Sequence, residues 1–85
     1  MGSEVTNITE AIEFAVNDLS KKLGLSPNLV TVKESGVHAW PDASLGMPEP
    51  GKMYAQAIAE GFYVVLEACG QKYEYHFGDG IIKTR

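Results

Sequence analysis

Asp42, Ser44 and His76 are the residue types of a nucleophilic hydrolase site. In such a site a histidine removes the proton of the serine hydroxyl, and an aspartate orients the histidine. Ser44 is not the centre of a G-x-S-x-G turn, which would expose a nucleophile. We therefore assign no catalytic residue and expect a non-enzymatic protein. A small ligand-binding or hydrolytic domain that uses these three residues is the alternative.

Histidine, aspartate and cysteine also bind metals, but their spacing in this chain does not favour a metal site. His38 and His76 are the only histidines, and neither has a ligand-like spacing to Asp42 or Cys69 within one element. We predict that no metal is bound and that both histidines lie on the surface or at the rim of the sheet. Cys69 has Lys72 as its nearest basic residue, and a lone thiol without an activating neighbour is more often incidental than catalytic.

The glycine-rich segments lack the features of a phosphate-binding loop. Neither 45–48 nor 78–80 ends in Lys-Ser or Lys-Thr, and neither leads into a helix. The segment 78–80 also lacks the acidic spacing of a calcium loop. We therefore predict no cofactor.

The most distinctive segment is the loop from Trp40 to Gly51, because its three prolines and two glycines exclude regular structure. In a structural interpretation, Trp40 fills the core with its indole N–H bonded to a carbonyl, and the Asp42 carboxylate caps a turn. In a functional interpretation, the stiff loop presents Leu45, Met47 and Pro48 to a partner at little entropic cost. The candidate binding residues are Trp40, Pro41, Asp42, Ser44, Leu45, Gly46, Met47 and Pro48, with His76 as a secondary candidate.

The first third of the chain predicts an amphipathic helix. Its apolar face repeats at steps of three and four and comprises Val5, Ile8, Ala11, Ile12, Ala15, Leu19 and Leu23. Asn7 followed by Glu10 fits a capping box, with Ser3 as a rival first residue. Gly24 fits a left-handed C-cap, and Pro27 prevents continuation.

The rest of the chain predicts strands joined by turns. The strand candidates are residues 29–40, with a possible bulge near Gly36, and residues 52–59, 61–68, 72–77 and 81–83. The run 52–59 is the weakest because alanine and glutamine are poor strand formers. Cys69 and Gly70 fit a tight hairpin turn, and the segment 78–80 turns the chain again.

This order of elements predicts an α+β fold, with one N-terminal amphipathic helix packed on an antiparallel sheet of about four strands. We expect residues 4–85 to form a single domain and Met1–Ser3 to be a cloning remnant. The helix would cover one sheet face. The other face would be partly wet or covered by a dimer partner, so we expect a monomer or a weak homodimer.

Composition narrows the class of partner. Seven lysines and arginines stand against 11 aspartates and glutamates, and the formal net charge is −4. Since nucleic acids and anionic membranes attract basic patches, neither is an expected partner. The single cysteine excludes an internal disulfide, and no apolar run reaches transmembrane length. Cytoplasm is the default compartment, and secretion stays open if a leader was removed.

Segments of the C-terminal half resemble a group of small uncharacterised prokaryotic proteins and domains with a W-P-D-x-S-L-G-C-P-x-P-G-x-x-Y signature and a hairpin ending in Y-x-Y-H. The segments are residues 40–51, Tyr54, Gln56, 61–68 and 70–76. The resemblance implies a shared fold and does not point to a particular activity. It carries over Trp40, Pro41, Asp42, Ser44, Leu45, Gly46, Pro48, Pro50, Gly51, Tyr54 and His76. Met47 departs from the usual cysteine, so a thiol role at that position is absent.

The leading hypothesis is a small non-enzymatic protein-interaction domain that presents either the Trp40–Gly51 loop or an open sheet face. An inhibitor-like use of the loop is one form of it, by analogy alone. Burial of Leu45 and Met47 would contradict loop presentation. The hydrolytic alternative would fail if His76 and Asp42 lay far apart and no pocket bordered the loop.

Overall fold

The computed structural model describes residues 7–54, 56–78 and 80–84. Its elements are α1 (Ile8–Leu23), a short 3-10 helix (Pro27–Leu29), β1 (Thr31–Trp40), β2 (Ala59–Ala68), β3 (Gln71–Gly78) and β4 (Ile81–Thr84). The predicted α+β fold, one N-terminal helix on a four-stranded antiparallel sheet, is confirmed. The predictions for Met1–Ser3, for Val5 on the helix face and for Asp79 in the last turn lie outside the described residues.

Both predicted ends of α1 are found. The side chain of Asn7 accepts a hydrogen bond from the backbone N–H of Glu10 at 2.9 Å, which satisfies one of the free donors of the first turn. Gly24 follows the helix with φ 68°, in the left-handed region. Its N–H donates to the carbonyl of Lys21, and that of Leu25 donates to the carbonyl of Ser20.

The helix packs through a narrow apolar stripe onto one face of the sheet. Ala11, Ala15 and Leu19 are buried on α1, and small alanine side chains allow a close approach of the helix to the strands. The sheet residues beneath them in this cluster include Val64, Leu66, Ala68, Tyr75 and Phe77. We call this side of the sheet the helix face. The hydroxyl of Tyr75 also donates to the Asp18 carboxylate at 2.7 Å, which adds a polar tie between sheet and helix.

The sheet is a meander in which sequential strands are neighbours, in the order β1-β2-β3-β4. Cys69 and Gly70 form the two-residue turn between β2 and β3, with φ values of 54° and 76°. Positive φ at both positions is the geometry that matches the strand twist in a tight hairpin. The predicted hairpin is therefore confirmed.

Two strand predictions are wrong in detail. The bulge of β1 falls between Val32 and Glu34, whereas Gly36 pairs regularly with Tyr63. The predicted strand at 52–59 does not form among its described residues before Ala59, where β2 begins. The alanine and glutamine residues of this run are poor strand formers.

The register places a second set of side chains on the opposite side of the sheet, because directly paired residues share a face. The pairs are Trp40 with Ala59, His38 with Gly61, Gly61 with Gly78, and Tyr63 with both Gly36 and His76. We call this side the loop face, since the Trp40–Gly51 segment folds over part of it. In the part of the chain that the structure describes, no helix is long and apolar enough to cross a membrane.

Candidate functional site

Trp40 attaches the loop to the loop face of the sheet. Its indole is almost fully buried, and its Nε1–H donates to the carbonyl of Phe77 at 3.0 Å. Trp40, Leu45 and Ala59 form a second buried apolar cluster, with Tyr63 and Ile81 packed against it. The structural prediction for Trp40, a core side chain whose N–H is bonded to a carbonyl, is confirmed.

Gly78 provides the space into which this cluster packs. A Cβ atom at Gly78 would lie 2.9 Å from Cδ2 of Leu45 and 3.1 Å from Cδ1 of Trp40. Its cross-strand partner Gly61 is equally constrained, because a Cβ there would lie 1.8 Å from the carbonyl oxygen of Phe77. The two glycines therefore let β2, β3 and the loop approach closely at one end of the sheet.

Asp42 holds the first turn of the loop. Its Oδ1 accepts from the backbone N–H of Ser44 at 2.9 Å and from the Ser44 hydroxyl at 2.5 Å. These two hydrogen bonds, the side-chain one first, hold the pKa of the Asp42 carboxyl below its ordinary value. The predicted capping role of Asp42 is confirmed. The Ser44 hydroxyl therefore bonds to a side chain of its own loop.

The chain then passes through two residues in the left-handed region, Leu45 with φ 54° and Gly46 with φ 78°. This conformation is unusual for leucine, so the surrounding packing must offset its cost. The Leu45 side chain is completely buried between Trp40 and the sheet. Met47 follows, and its N–H donates to the carbonyl of Ser44 at 2.9 Å.

Burial of these two side chains contradicts the prediction that the loop presents them. Leu45 is 0% exposed and Met47 is 9% exposed. Presentation of Leu45 and Met47 to a partner is therefore wrong, because the glycine-lined end of the sheet accepts Leu45 as part of a second core. Pro48, by contrast, is exposed.

His76 lies beneath the loop, and its predicted place on the surface or at the rim is wrong. The residue is 7% exposed and stacks on the Trp40 indole with ring centroids 4.3 Å apart. Its Nδ1 lies 2.6 Å from the carbonyl oxygen of Leu45, and its Nε2 lies 3.2 Å from Oε1 of Glu74. Both oxygens are hydrogen-bond acceptors, so each ring nitrogen of His76 faces an acceptor.

His38 also contacts the Trp40 indole. Its own side chain is exposed, as predicted. Its ring centroid lies 4.2 Å from that of Trp40 and 6.4 Å from that of Tyr63. The side chain thus belongs to an aromatic row on the loop face. That row runs from β1 onto β2 and remains open beyond the loop.

The hydrogen bonds do not connect the three residues of the hydrolytic alternative in the order of a catalytic triad. The Ser44 hydroxyl donates to Asp42, whereas the His76 ring nitrogens face Leu45 and Glu74. In a triad the serine would bond to histidine and the histidine to aspartate. The loop does bring all three residues to one region, since Asp42 and Ser44 come shortly before Leu45, whose carbonyl oxygen contacts His76.

An open cleft of about 340 Å³ borders the far side of the loop, lined by Met47, Pro48, Glu49, Lys83 and Thr84. Lys83 Nζ lies 3.2 Å from Glu49 Oε2 and 3.3 Å from the Tyr54 hydroxyl. Burial lowers the pKa of Lys83, but these two partners outweigh it and raise the pKa overall. The lysine charge is therefore already paired within the protein and is not a free anion site.

Metal and thiol chemistry receive no structural support. Among residues 7–54, 56–78 and 80–84, no group of three or more histidine, cysteine, aspartate or glutamate side chains could hold a metal ion. Cys69 lies exposed in the β2–β3 turn. The buried polar side-chain atoms in the described ranges all have hydrogen-bond partners, so none points to an absent ligand.

Comparison with known families adds one match. Residues 12–81 match the model of a family described as a domain of unknown function, DUF8738. The chain belongs to this family. The DUF8738 match includes β1, β2, β3 and the whole loop, so the packing described above lies within the family region. No curated protein and no solved structure matches the chain.

Sequence reasoning missed Gly61, Gly78 and Glu74 as parts of this site. Glycine within a strand is a signal of close backbone approach, and Gly61 carried that signal at the start of β2. Gly78 was assigned to a turn, whereas the structure places it at the end of β3. Glu74 lies two residues before His76 in the alternating pattern of β3, which places both side chains on one face of the strand.

Proposed function

We propose that this member of DUF8738 is a small non-enzymatic protein-interaction domain whose contact surface is the exposed strand β1 and the open loop face beside it. One observation supports this proposal most strongly. β1 has ten residues, lies at the edge of the sheet, and has seven exposed residues. A long edge strand offers unpaired backbone N–H and C=O groups to an extended segment of another chain.

The side chains of β1 add recognition on both faces. Val37 points to the helix face and is 74% exposed, although it is a large apolar residue. On the loop face the Tyr63 hydroxyl donates to Glu34 at 3.0 Å, and this hydrogen bond raises the pKa of Tyr63. The tyrosine and glutamate are therefore ordered before a partner binds, which reduces the entropic cost of binding.

In this proposal the Trp40–Gly51 loop serves as a brace rather than as the contact itself. The residues carried over by the resemblance include Trp40 and His76, whose contacts fix the loop to the sheet, and Asp42, which holds the first turn of the loop. The residues of the W-P-D-x-S-L-G signature would then stabilise the loop at one end of the sheet. Residues 4–85 would act as one domain. The inhibitor-like form loses support because the Leu45 side chain is buried.

The hydrolytic alternative has weaker support, since the Ser44 hydroxyl is committed to Asp42. Treatment with a serine-directed phosphonate and mass spectrometry tests it directly. An adduct on Ser44 would revive the alternative, whereas an unmodified protein agrees with the interaction domain.

Selection from a phage library of random extended peptides tests the proposed surface. We expect peptides selected on the wild type to bind Val37→Lys about tenfold more weakly or worse, because an added edge charge opposes strand pairing. Met53→Lys is the matched control, since Met53 is 98% exposed and lies outside the strands. Equal binding to wild type and both variants would contradict the β1 surface.

A further inference from the structure

We propose that the partner of β1 is a second copy of this chain, paired antiparallel with it about a two-fold axis at Gly36. This inference rests on the proposed function, because it uses the same strand edge. The two four-stranded sheets would join into one continuous sheet of eight strands through β1 of each copy. Antiparallel pairing about a two-fold axis keeps the helix faces on one side and the loop faces on the other.

The charges of β1 select this register. With the axis at Gly36, Glu34 of each copy lies directly opposite His38 of the other copy, so the pair occurs twice. Both side chains are exposed and lie on the loop face. An axis at Ser35 would place Glu34 opposite Gly36, and an axis at Val37 would place it opposite Trp40. Only the Gly36 register therefore places an acidic side chain opposite an imidazole, whose ring N–H can donate a hydrogen bond to the carboxylate.

The bulge and the loop set the ends of the pairing. The register shift between Val32 and Glu34 interrupts regular pairing on one side, and a bulge at an edge discourages extension of a ladder. On the other side β1 ends at Trp40, which is followed by Pro41. The regular segment from Glu34 to Trp40 contains Gly36 and both members of the proposed Glu34–His38 pair.

Gly36 suits the centre of this interface because it has no side chain of its own, and the ring of its cross-strand neighbour Tyr63 fills that space. A Cβ at Gly36 would lie 3.0 Å from Cε1 and 3.2 Å from the hydroxyl of Tyr63, so the tyrosine ring lies over the glycine. At the axis the two Tyr63 rings would flank each other on the loop face, each donating to Glu34 of its own chain. On the helix face Val37 would oppose Ser35 and lie diagonal to Val37 of the other copy, within side-chain reach.

Sedimentation equilibrium over a range of protein concentrations tests the inference. We expect the wild type to dimerise and His38→Glu to weaken dimerisation about tenfold or more, because two attractive pairs become two repulsive ones. The double variant Glu34→Lys with His38→Glu restores opposite charges and should recover the dimer. Met53→Lys should associate like the wild type. Circular dichroism and thermal unfolding of each variant verify that it is folded.

The outcomes separate this inference from the proposed function. A wild type that stays monomeric but binds selected peptides through β1 would overturn the dimer and leave the proposed function standing. A monomer that binds no peptide would contradict both. A dimer that is insensitive to His38→Glu and to Val37→Lys would place the self-contact elsewhere and overturn the Gly36 register.

Discussion

Trp40 combines a hydrogen bond, a ring stack and apolar contacts within a single side chain. Its N–H bonds the Phe77 carbonyl, its indole stacks on His76, and its ring packs with Leu45. Aromatic side chains stabilise small folds in this way because they bury a large area while one polar atom keeps a partner. These three contacts join Trp40 to β3 and to Leu45 within the loop.

Gly78→Ala should destabilise the protein by about 1–3 kcal/mol, because overpacking a filled site forces neighbouring side chains to move. The added methyl group would lie 2.9 Å from Leu45 and 3.1 Å from Trp40. Urea unfolding measures the change. Gly36→Ala is the comparison, since the atoms nearest to its methyl group would be the far end of the Tyr63 side chain, which can move. An equal, small loss in both variants would show that the loop does not pack tightly on Gly78.

Residues whose roles depend on near neighbours in the sequence were predictable. Asn7, Gly24 and Asp42 act on groups within a few positions, so the chain itself carries the signal. His76 was not predictable in the same way. Its burial depends on a loop that begins far earlier in the sequence and folds over one end of the sheet.

At the scale of elements, α1 is attached to the sheet by the hydrogen bond between Tyr75 and Asp18 as well as by apolar contacts. Both of these side chains are titratable. Burial raises the pKa of Asp18, but hydrogen bonds from Tyr75 and Lys22 outweigh it, so the pKa lies below the ordinary 3.8. Burial, followed by the hydrogen bond to Asp18, raises the pKa of Tyr75 above its ordinary 10.0. Both shifts favour the ionised aspartate and the neutral tyrosine in the folded state.

These shifts predict opposite pH dependences. The Asp18 contribution is present above pH 3.8 and is lost as the pH falls through the lower folded-state pKa. The Tyr75 contribution is present below pH 10.0 and is lost as the pH rises toward the higher folded-state pKa. In Tyr75→Phe the fall in unfolding free energy above pH 10.0 should become shallower than in the wild type. Denaturant unfolding at a series of pH values measures this.

Tyr73→Phe provides the comparison for that experiment, because the Tyr73 hydroxyl contacts only Gln71 of the same strand at 3.4 Å. Its pH profile should follow the wild type. If Tyr75→Phe also followed the wild type above pH 10.0, folding would not oppose the ionisation of Tyr75, which would contradict its raised pKa.

The element predictions succeeded where the apolar periodicity was strong and failed where the residues were weak strand formers. α1 and the β2–β3 hairpin have clear apolar patterns and turn residues, and both are found. The run 52–59 had weak strand formers, and β2 already has β1 and β3 as neighbours. Sequence pattern alone does not report which strand edges are occupied.

At the scale of the whole molecule, the sheet is buried on both faces at one end. The larger cluster lies beneath α1, and the smaller one lies beneath the loop. A domain of this size buries a limited share of its surface, so a second cluster adds stability that one helix does not provide. Phe77 links the two sides, because its ring packs in the larger cluster while its carbonyl accepts from Trp40.

Leu45→Ala and Leu66→Ala compare the two clusters. Both side chains are fully buried, so each truncation should cost about 2–5 kcal/mol of unfolding free energy. Guanidinium unfolding followed by circular dichroism measures both losses. A loss below about 1 kcal/mol for Leu45→Ala beside a full loss for Leu66→Ala would indicate a loop that packs loosely on the sheet.

The β2–β3 turn also gives the molecule a defined point of attachment. Cys69 is the single cysteine of the chain, lies exposed, and follows the end of β2 away from Ala59 and Trp40. A maleimide dye, spin label or surface linker would therefore react at one position with one orientation. A protein immobilised there would direct the end of the sheet that carries the braced loop away from the support.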